Sequence, residues 1–237
     1  MTRIGTHIGQ LLPDDSEDKI FMFLKEVINM RKKFDIPIKN IVNMDETALM
    51  YNMPFNKTMH KIGQKTITIP TQKQEKSRIS CILSINAEGN IPYIIFKGAQ
   101  KGKIYKSLIN TDEVVSKKCV VYTNSNAWST NKIVKDWMDN VYCSYFINIP
   151  LENTLLIFDS APMHCSLEVL KYLSQKKINY ALIPKGLTPI LQPLDVSINK
   201  PFKEAMKHKY ESSVISFSNK NNIKVKREVL LKWINEC

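Results

Sequence analysis

Apolar residues recur along this chain with two different periods. Ile20, Phe21, Leu24, Val27 and Ile28, continued by Arg31, follow three- and four-residue steps, which predicts an amphipathic helix over about 17–33. Ser16 is placed to cap it, with Asp18 in its first turn. After Pro37, the run Ile41-Val42-Asn43-Met44 ending in Asp45 predicts a short buried strand. Lys65–Pro70 alternates like a strand, Arg78–Ile85 is a longer β-rich run, and Ala87-Glu88-Gly89-Asn90 signals a turn into a return strand over Ile91–Lys97. These elements predict an antiparallel meander.

Residues 98–118 are weakly patterned and predict a partly ordered loop, followed by a short strand at Cys119–Tyr122. Ser129 or Thr130 caps a predicted helix over about 130–147 with Ile133, Trp137, Val141 and Tyr145 on one stripe. Thr154–Phe158 reads as an apolar strand running into Asp159, Ser166–Lys176 as a helix and Tyr180–Ile183 as a strand. Pro184, Gly186, Pro189 and Pro193 then argue against regular structure until Asp195, and helices are expected to end near Ser213 and to span about 223–235. Pro201 fits either the first turn of a helix beginning near Asn199 or a kink in one beginning at Asp195. A meander followed by crossovers predicts an α/β fold, a mixed five-stranded sheet flanked by helices, in an order that resembles RNase H-like folds. The expected divisions are a linker and helix at 1–38, a central domain at 39–213 and a helical tail at 214–237.

Charge narrows the partner. The 34 Lys and Arg against 22 Asp and Glu leave a formal charge of +12, which favours nucleic acid. Most of that excess is Lys in a chain also rich in Asn and Ile, so a codon bias toward A and T produces the same trend. The five cysteines are odd in number, irregular in spacing and without a CxxC, which points to reduced thiols and away from a disulfide frame or zinc ribbon. The opening MTRIGTHIGQLLPDDSEDK lacks an apolar signal core, and no apolar run approaches the ~20 residues of a membrane span. An intracellular chain with no membrane partner is expected.

Asp45, Asp159 and Asp195 sit at the ends of predicted elements and not on solvated faces. Each alone reads more readily as a salt-bridge partner for one of the many lysines than as a functional group. Together, on neighbouring strand ends and a loop folded over them, they offer hard oxygen donors suited to Mg²⁺ or Mn²⁺. Two such ions about 3.5–4 Å apart activate a water or 3′-hydroxyl and stabilise the leaving oxygen of a phosphodiester. No Gly-rich phosphate loop supports the rival reading as a small-molecule phosphohydrolase.

The blocks Asn43-Met44-Asp45-Glu46-Thr47, Leu156-Ile157-Phe158-Asp159-Ser160 and Gly186-Leu187-Thr188-Pro189-Ile190-Leu191-Gln192-Pro193-Leu194-Asp195 resemble the three catalytic blocks of pogo/Tigger/jerky-type transposases of the mariner superfamily. The 35 residues between Asp159 and Asp195 fit that lineage, as do LLPDD, NMPFNKT, Glu75-Lys76-Ser77-Arg78, IPYIIFKG and Asn199-Lys200-Pro201-Phe202-Lys203. The resemblance covers about residues 8–212. It implies a DDE endonuclease domain of RNase H-like fold, two Mg²⁺ or Mn²⁺ ions on the three aspartates, DNA cleavage and strand transfer, and work in the nucleus. A homodimer is compatible with it. Such proteins usually carry an N-terminal helix-turn-helix region, which this chain is expected to lack, so a truncated or domesticated derivative that binds DNA without catalysis is the alternative. Lys97, Lys101 and Lys103 form a basic loop with Lys106 that suits a phosphate backbone or plain solvent, and His164, Gln192 and Asn199 are further candidates for DNA contact. His164 serves as well as a core-edge residue, Gln192 and Asn199 as orienting groups for Asp195, Glu46 as a structural residue on the opposite strand face, and Trp128 and Trp137 as core.

Overall fold

The computed structural model describes residues 12–50, 78–90, 92–216 and 225–237. The strand expected at 65–70, Ile91, and the NMPFNKT and Glu75-Lys76-Ser77 segments lie outside the described residues. The first half holds α1 (Ser16–Lys33), β1 (Ile41–Met50), β2 (Arg78–Asn86), β3 (Gly89–Asn90), β4 (Tyr93–Lys97), α2 (Lys103–Leu108), α3 (Asp112–Val115) and β5 (Val120–Asn124). The second holds α4 (Asn131–Trp137), β6 (Leu155–Asp159), α5 (Leu167–Lys176), β7 (Asn179–Ile183), α6 (Thr188–Leu191), α7 (Asn199–Ser216) and α8 (Arg227–Asn235).

The strands form one mixed sheet in the order β5-β4-β2-β1-β6-β7, with the two-residue β3 paired to β2. This is one full strand more than the five expected, because β5 extends the meander edge by pairing parallel to β4. The apolar run at 155–158 crosses over through α5 to β7, a parallel connection that a helix of this length bridges. β1 pairs antiparallel with β2 and parallel with β6, with Asn43 level with Ile157. It continues five residues past Asp45, which leaves Asp45 in mid-strand and level with the end of β6.

Alternation along these strands splits the core. Val42, Met44, Leu156 and Phe158 face α4 and α5, together with Ile133, Trp137, Val169 and Leu173. Leu49, Cys81, Leu83 and Phe96 face the other way, against Phe202 and Met206 of α7 and Leu230, Leu231 and Ile234 of α8. Phe23 of α1 is buried with Leu155, Ala181 and Ile183. The helices expected outside the central domain therefore bury side chains in the same body, since boundaries drawn at helix ends do not reveal where the apolar faces go.

Two expected stripes are displaced. α1 buries Phe23 with Ile20, Val27 and Met30 packed around it, whereas Phe21, Leu24 and Ile28 are exposed. Its N-cap is Asp15, with Ser16 the first helical residue. The helix expected over 130–147 is α4, capped by Thr130, followed by a π-helical segment at Met138–Cys143. The wider turn shifts the phase, so Tyr142 is buried where Tyr145 was expected, and Tyr145 instead donates to Glu88 at the surface. The segment 98–118 carries α2 and α3, and α6 forms between the prolines with Pro189 in its first turn, where a missing N–H costs nothing. Among the described residues no helix is long and apolar enough to cross a membrane.

Candidate active site

Three acid-bearing segments meet at the carboxyl end of β6. The local cause is a buried amide clasp. Asn43, two residues before Asp45, donates from Nδ2 to the carbonyl of Ile157, two residues before Asp159, at 3.0 Å, and to Gln192 Oε1 at 3.1 Å. Its Oδ1 accepts from the backbone N–H of Leu194, the residue before Asp195, at 3.2 Å. Gln192 Nε2 closes the loop by donating to the carbonyl of Met44 at 2.8 Å. Asn43 and Gln192 thus fix the registry of all three segments without using a charge. Gln192→Leu should lower stability by about 1–3 kcal/mol, because the Met44 carbonyl loses its partner in a buried place. Thermal melting checks this, and an unchanged midpoint would contradict it.

The odd-numbered face of β1 turns Asp45 toward α7, where only 8% of the residue is exposed. Its Oδ2 accepts from Asn199 Nδ2 at 2.6 Å, and the same Nδ2 donates to Asp195 Oδ1 at 2.8 Å. One amide therefore joins two of the three carboxylates. Asp195 lies in a π-helical segment, Leu194–Ile198, that leads directly into α7 and leaves Pro201 in the first turn of the α-helix. Burial pushes the Asp45 carboxyl up to about 6, with the charge of Asp195 adding to the rise, Asn199 opposing it and Asp159 contributing further.

Asp159 meets a different partner. Its Oδ1 lies 2.5 Å from His164 Nδ1 and accepts from the Ala161 N–H at 3.2 Å. Burial alone would raise the Asp159 carboxyl, but the His164 hydrogen bond and charge hold it below the ordinary carboxylate range. His164 is only 2% exposed, sits edge-on to Phe158 at 5.2 Å, and has Nε2 3.6 Å from Glu46 Oε1. Burial disfavours its cation, yet its two carboxylate partners raise it to about 9. Glu46 lies on the opposite face of β1 from Asp45, as strand alternation predicts.

Among the described residues no three His, Cys, Asp or Glu side chains stand as a ready-made ligand shell. The sequence predicts three carboxylates converging directly. The structure pairs Asp45 with Asp195 and turns Asp159 to His164, because neighbouring anions in a half-buried place each take an N–H donor. Gln192, offered by sequence to DNA, is fully buried with its amide engaged, and Asn199 and His164 are also spent within the site. Lys97, Lys101 and Lys103 are exposed at the carboxyl end of β4, two strands away from β1 along the same sheet edge.

A second basic feature, in addition to the Lys97–Lys103 loop, lies next to Asp195. A cleft of about 330 Å³ is lined by Asp195, Asn199, Lys200, Lys203, Glu204 and Lys207. Lys200, Lys203 and Lys207 recur at i, i+3 and i+7, a helical spacing that was legible once α7 was placed.

The model of the DDE superfamily endonuclease family matches residues 76–236. The chain belongs to this family. Asp159 and Asp195 of this DDE endonuclease-family chain fall inside the matched stretch, and Asp45 precedes it. Its pogo and Tigger kinship holds as well. It is 26% identical over 213 residues to the human "Pogo transposable element with KRAB domain", covering 88% of this chain and 33% of that protein. With the human "Tigger transposable element-derived protein 7" it shares 26% over 231 residues, covering 90% of this chain and 40% of the other. The chain thus spans about a third of the length of the first of these relatives. In fold it is similar to the Mos1 transposase of a pre-cleavage transpososome, with a TM-score of 0.60 at 12% identity, covering 100% of this chain and 58% of that one. It is also similar to the Mos1 catalytic domain, with a TM-score of 0.51 at 12% identity over 97% of this chain and 84% of that one. The DDE endonuclease-family sheet is of the RNase H-like class.

Proposed function

We propose that this chain is the catalytic core of a pogo-type transposase, cutting and rejoining DNA phosphodiesters in the nucleus with two divalent cations held by Asp45, Asp159 and Asp195. The observation that carries this reading is the Asp45 carboxyl. It is buried in mid-strand, tied through Asn199 to Asp195, and within electrostatic reach of Asp159. A buried anion beside two others is costly unless a cation neutralises it. The donors are hard oxygens, and one more, Asn199 Oδ1, is buried there without a hydrogen-bond partner. This donor set fits Mg²⁺ or Mn²⁺. Mos1 paired-end complexes are known with Mn and with Mg, and Mos1 transposase also with its left transposon end.

When bound, the cations supply activation of a water or 3′-hydroxyl and charge relief at the leaving oxygen. The protein's own part is positional. The Asn43–Gln192 clasp aligns the three segments, and His164 holds Asp159 ionised and oriented through its Nδ1–H. Lys200, Lys203 and Lys207 offer ammonium groups to a DNA backbone beside Asp195, and Lys97, Lys101 and Lys103 offer a second set at the far end of the edge. Reversing Lys200 and Lys203 to Glu together should weaken DNA binding for all sequences alike. The slope of log affinity against log salt should fall by about two. An unchanged slope would remove the α7 cleft from the DNA path.

Supercoiled plasmid incubated with the purified chain and Mg²⁺ or Mn²⁺ tests the reading. Nicking is expected, and both a chelator and Asp45→Asn should stop it. Steeply salt-dependent DNA binding without nicking by the unaltered chain would replace this reading with a transposase-derived DNA-binding protein.

A further inference from the structure

Asn199 opens α7 four residues after Asp195 and is 6% exposed. Its Nδ2 serves both Asp45 and Asp195, while its Oδ1 is buried and accepts no hydrogen bond. A buried carbonyl oxygen left without a partner costs about 1–3 kcal/mol, so its presence calls for a cause. Holding two carboxylates together does not supply one, since a Lys ammonium would do so with a charge and without an orphaned oxygen. What an amide alone brings is a donor and an acceptor on one planar group. The terminal torsion of Asn is roughly two-fold, so a half-turn exchanges nitrogen for oxygen with the backbone unmoved. With Nδ2 inward, the group bridges two anions. With Oδ1 inward, three neutral or anionic oxygens from Asp45, Asp195 and Asn199 face one point, the donor type that Mg²⁺ and Mn²⁺ take.

We infer that Asn199 is a third oxygen ligand of the cation held by Asp45 and Asp195, its amide reversing when the cation enters. The inference rests on the proposed reading of those two aspartates as cation ligands. It differs from a competitor role, in which Asn199 merely occupies the pair and must be displaced.

Mn²⁺ binding to the whole chain without DNA, followed by the electron paramagnetic resonance signal of the free ion, separates these roles. Asn199→Leu removes the oxygen while keeping a branched side chain of the same length, and should weaken Mn²⁺ binding by about tenfold or more, in the range seen when groups around a metal are lost. Asn199→Asp keeps an oxygen in place and should bind Mn²⁺ at least as tightly as the unaltered chain. Thermal melting of each variant without metal reports on folding. If Asn199→Leu is folded and binds Mn²⁺ as tightly as the unaltered chain, or more tightly, the inference is overturned. If Asn199→Leu does not fold, Asn199→Asp decides, and binding tenfold weaker than that of the unaltered chain overturns it. Asp45→Asn guards the underlying reading. Unaltered Mn²⁺ binding in that variant would bring down the cation site itself, whereas its loss alongside full binding by Asn199→Leu would remove the Asn199 role alone.

Discussion

Asp159→Asn should reduce metal-dependent DNA nicking on the order of a thousandfold, equivalent to about 4 kcal/mol of transition-state stabilisation. The isosteric change removes one charge, and with it the ionic part of the contact to buried His164. Asp159 ends β6 with its carboxylate partly exposed, and an amide oxygen in its place still accepts from His164 Nδ1 and the Ala161 N–H. The strand and its packing beneath are untouched, with Leu156 and Phe158 fully buried. The melting midpoint should fall, because buried His164 loses one of the two carboxylates that favour its cation, and relief of the repulsion on Asp45, where Asp159 is the smallest contributor, is too weak to offset that. Initial nicking rates at saturating Mg²⁺, measured beside thermal melts, check both halves. A variant retaining more than a tenth of the rate would show that Asp159 is not a cation ligand in the reaction.

Trp137→Ala should be the most destabilising single change in the core, at about 3–5 kcal/mol. Trp137 is fully buried on the α4 face of the sheet and lies tilted against Tyr142 with ring centroids 6.0 Å apart. Tyr142 in turn meets Phe146 edge-on at 5.1 Å, so the indole anchors a chain of rings built on the π-helical segment. Domains are stable by only about 5–15 kcal/mol, so this loss is a large share. At about 2–4 °C per kcal/mol for a chain of this size, the midpoint should drop by roughly 6–20 °C. Trp137→Phe should cost distinctly less, because the indole N–H is buried without a hydrogen-bond partner and its removal relieves that debt. Equal losses for Ala and Phe would contradict this packing account.

How far the sequence carried the fold depends on how strongly each segment is patterned. The blocks around Asp45 and Asp159 were legible because an apolar run stops at an acid in each, in strands that the topology makes neighbours, and the block around Asp195 through its resemblance to the third catalytic block of the family. The extension of β1 past Asp45 was not, since Glu46-Thr47-Ala48 carries no apolar alternation, and its pairing with β2 decides it. α1 was found but its buried face was misplaced, because apolar residues lie almost all around the helix and periodicity could not choose between them. The π-helical segments at 138–143 and 194–198 have no sequence signature of this kind, and each shifts the residues after it.

In the site, the acids were readable and their partners were not. A lone Asn in a strand announces nothing, and the clasp made by Asn43 emerges only with Gln192 and Leu194 folded over it. Trp128 was expected in the core, yet 54% of it is exposed, with the Arg78 guanidinium stacked 3.8 Å from its ring centroid. Only a tertiary contact distinguishes an indole covered by a cation from one covered by leucines.

The most direct measurement of the central claim is the anomalous scattering of Mn²⁺ in crystals of this chain soaked with the ion. The account predicts density ringed by the carboxylates of Asp45, Asp159 and Asp195. Density that excludes any one of these three aspartates at full Mn²⁺ occupancy would contradict it.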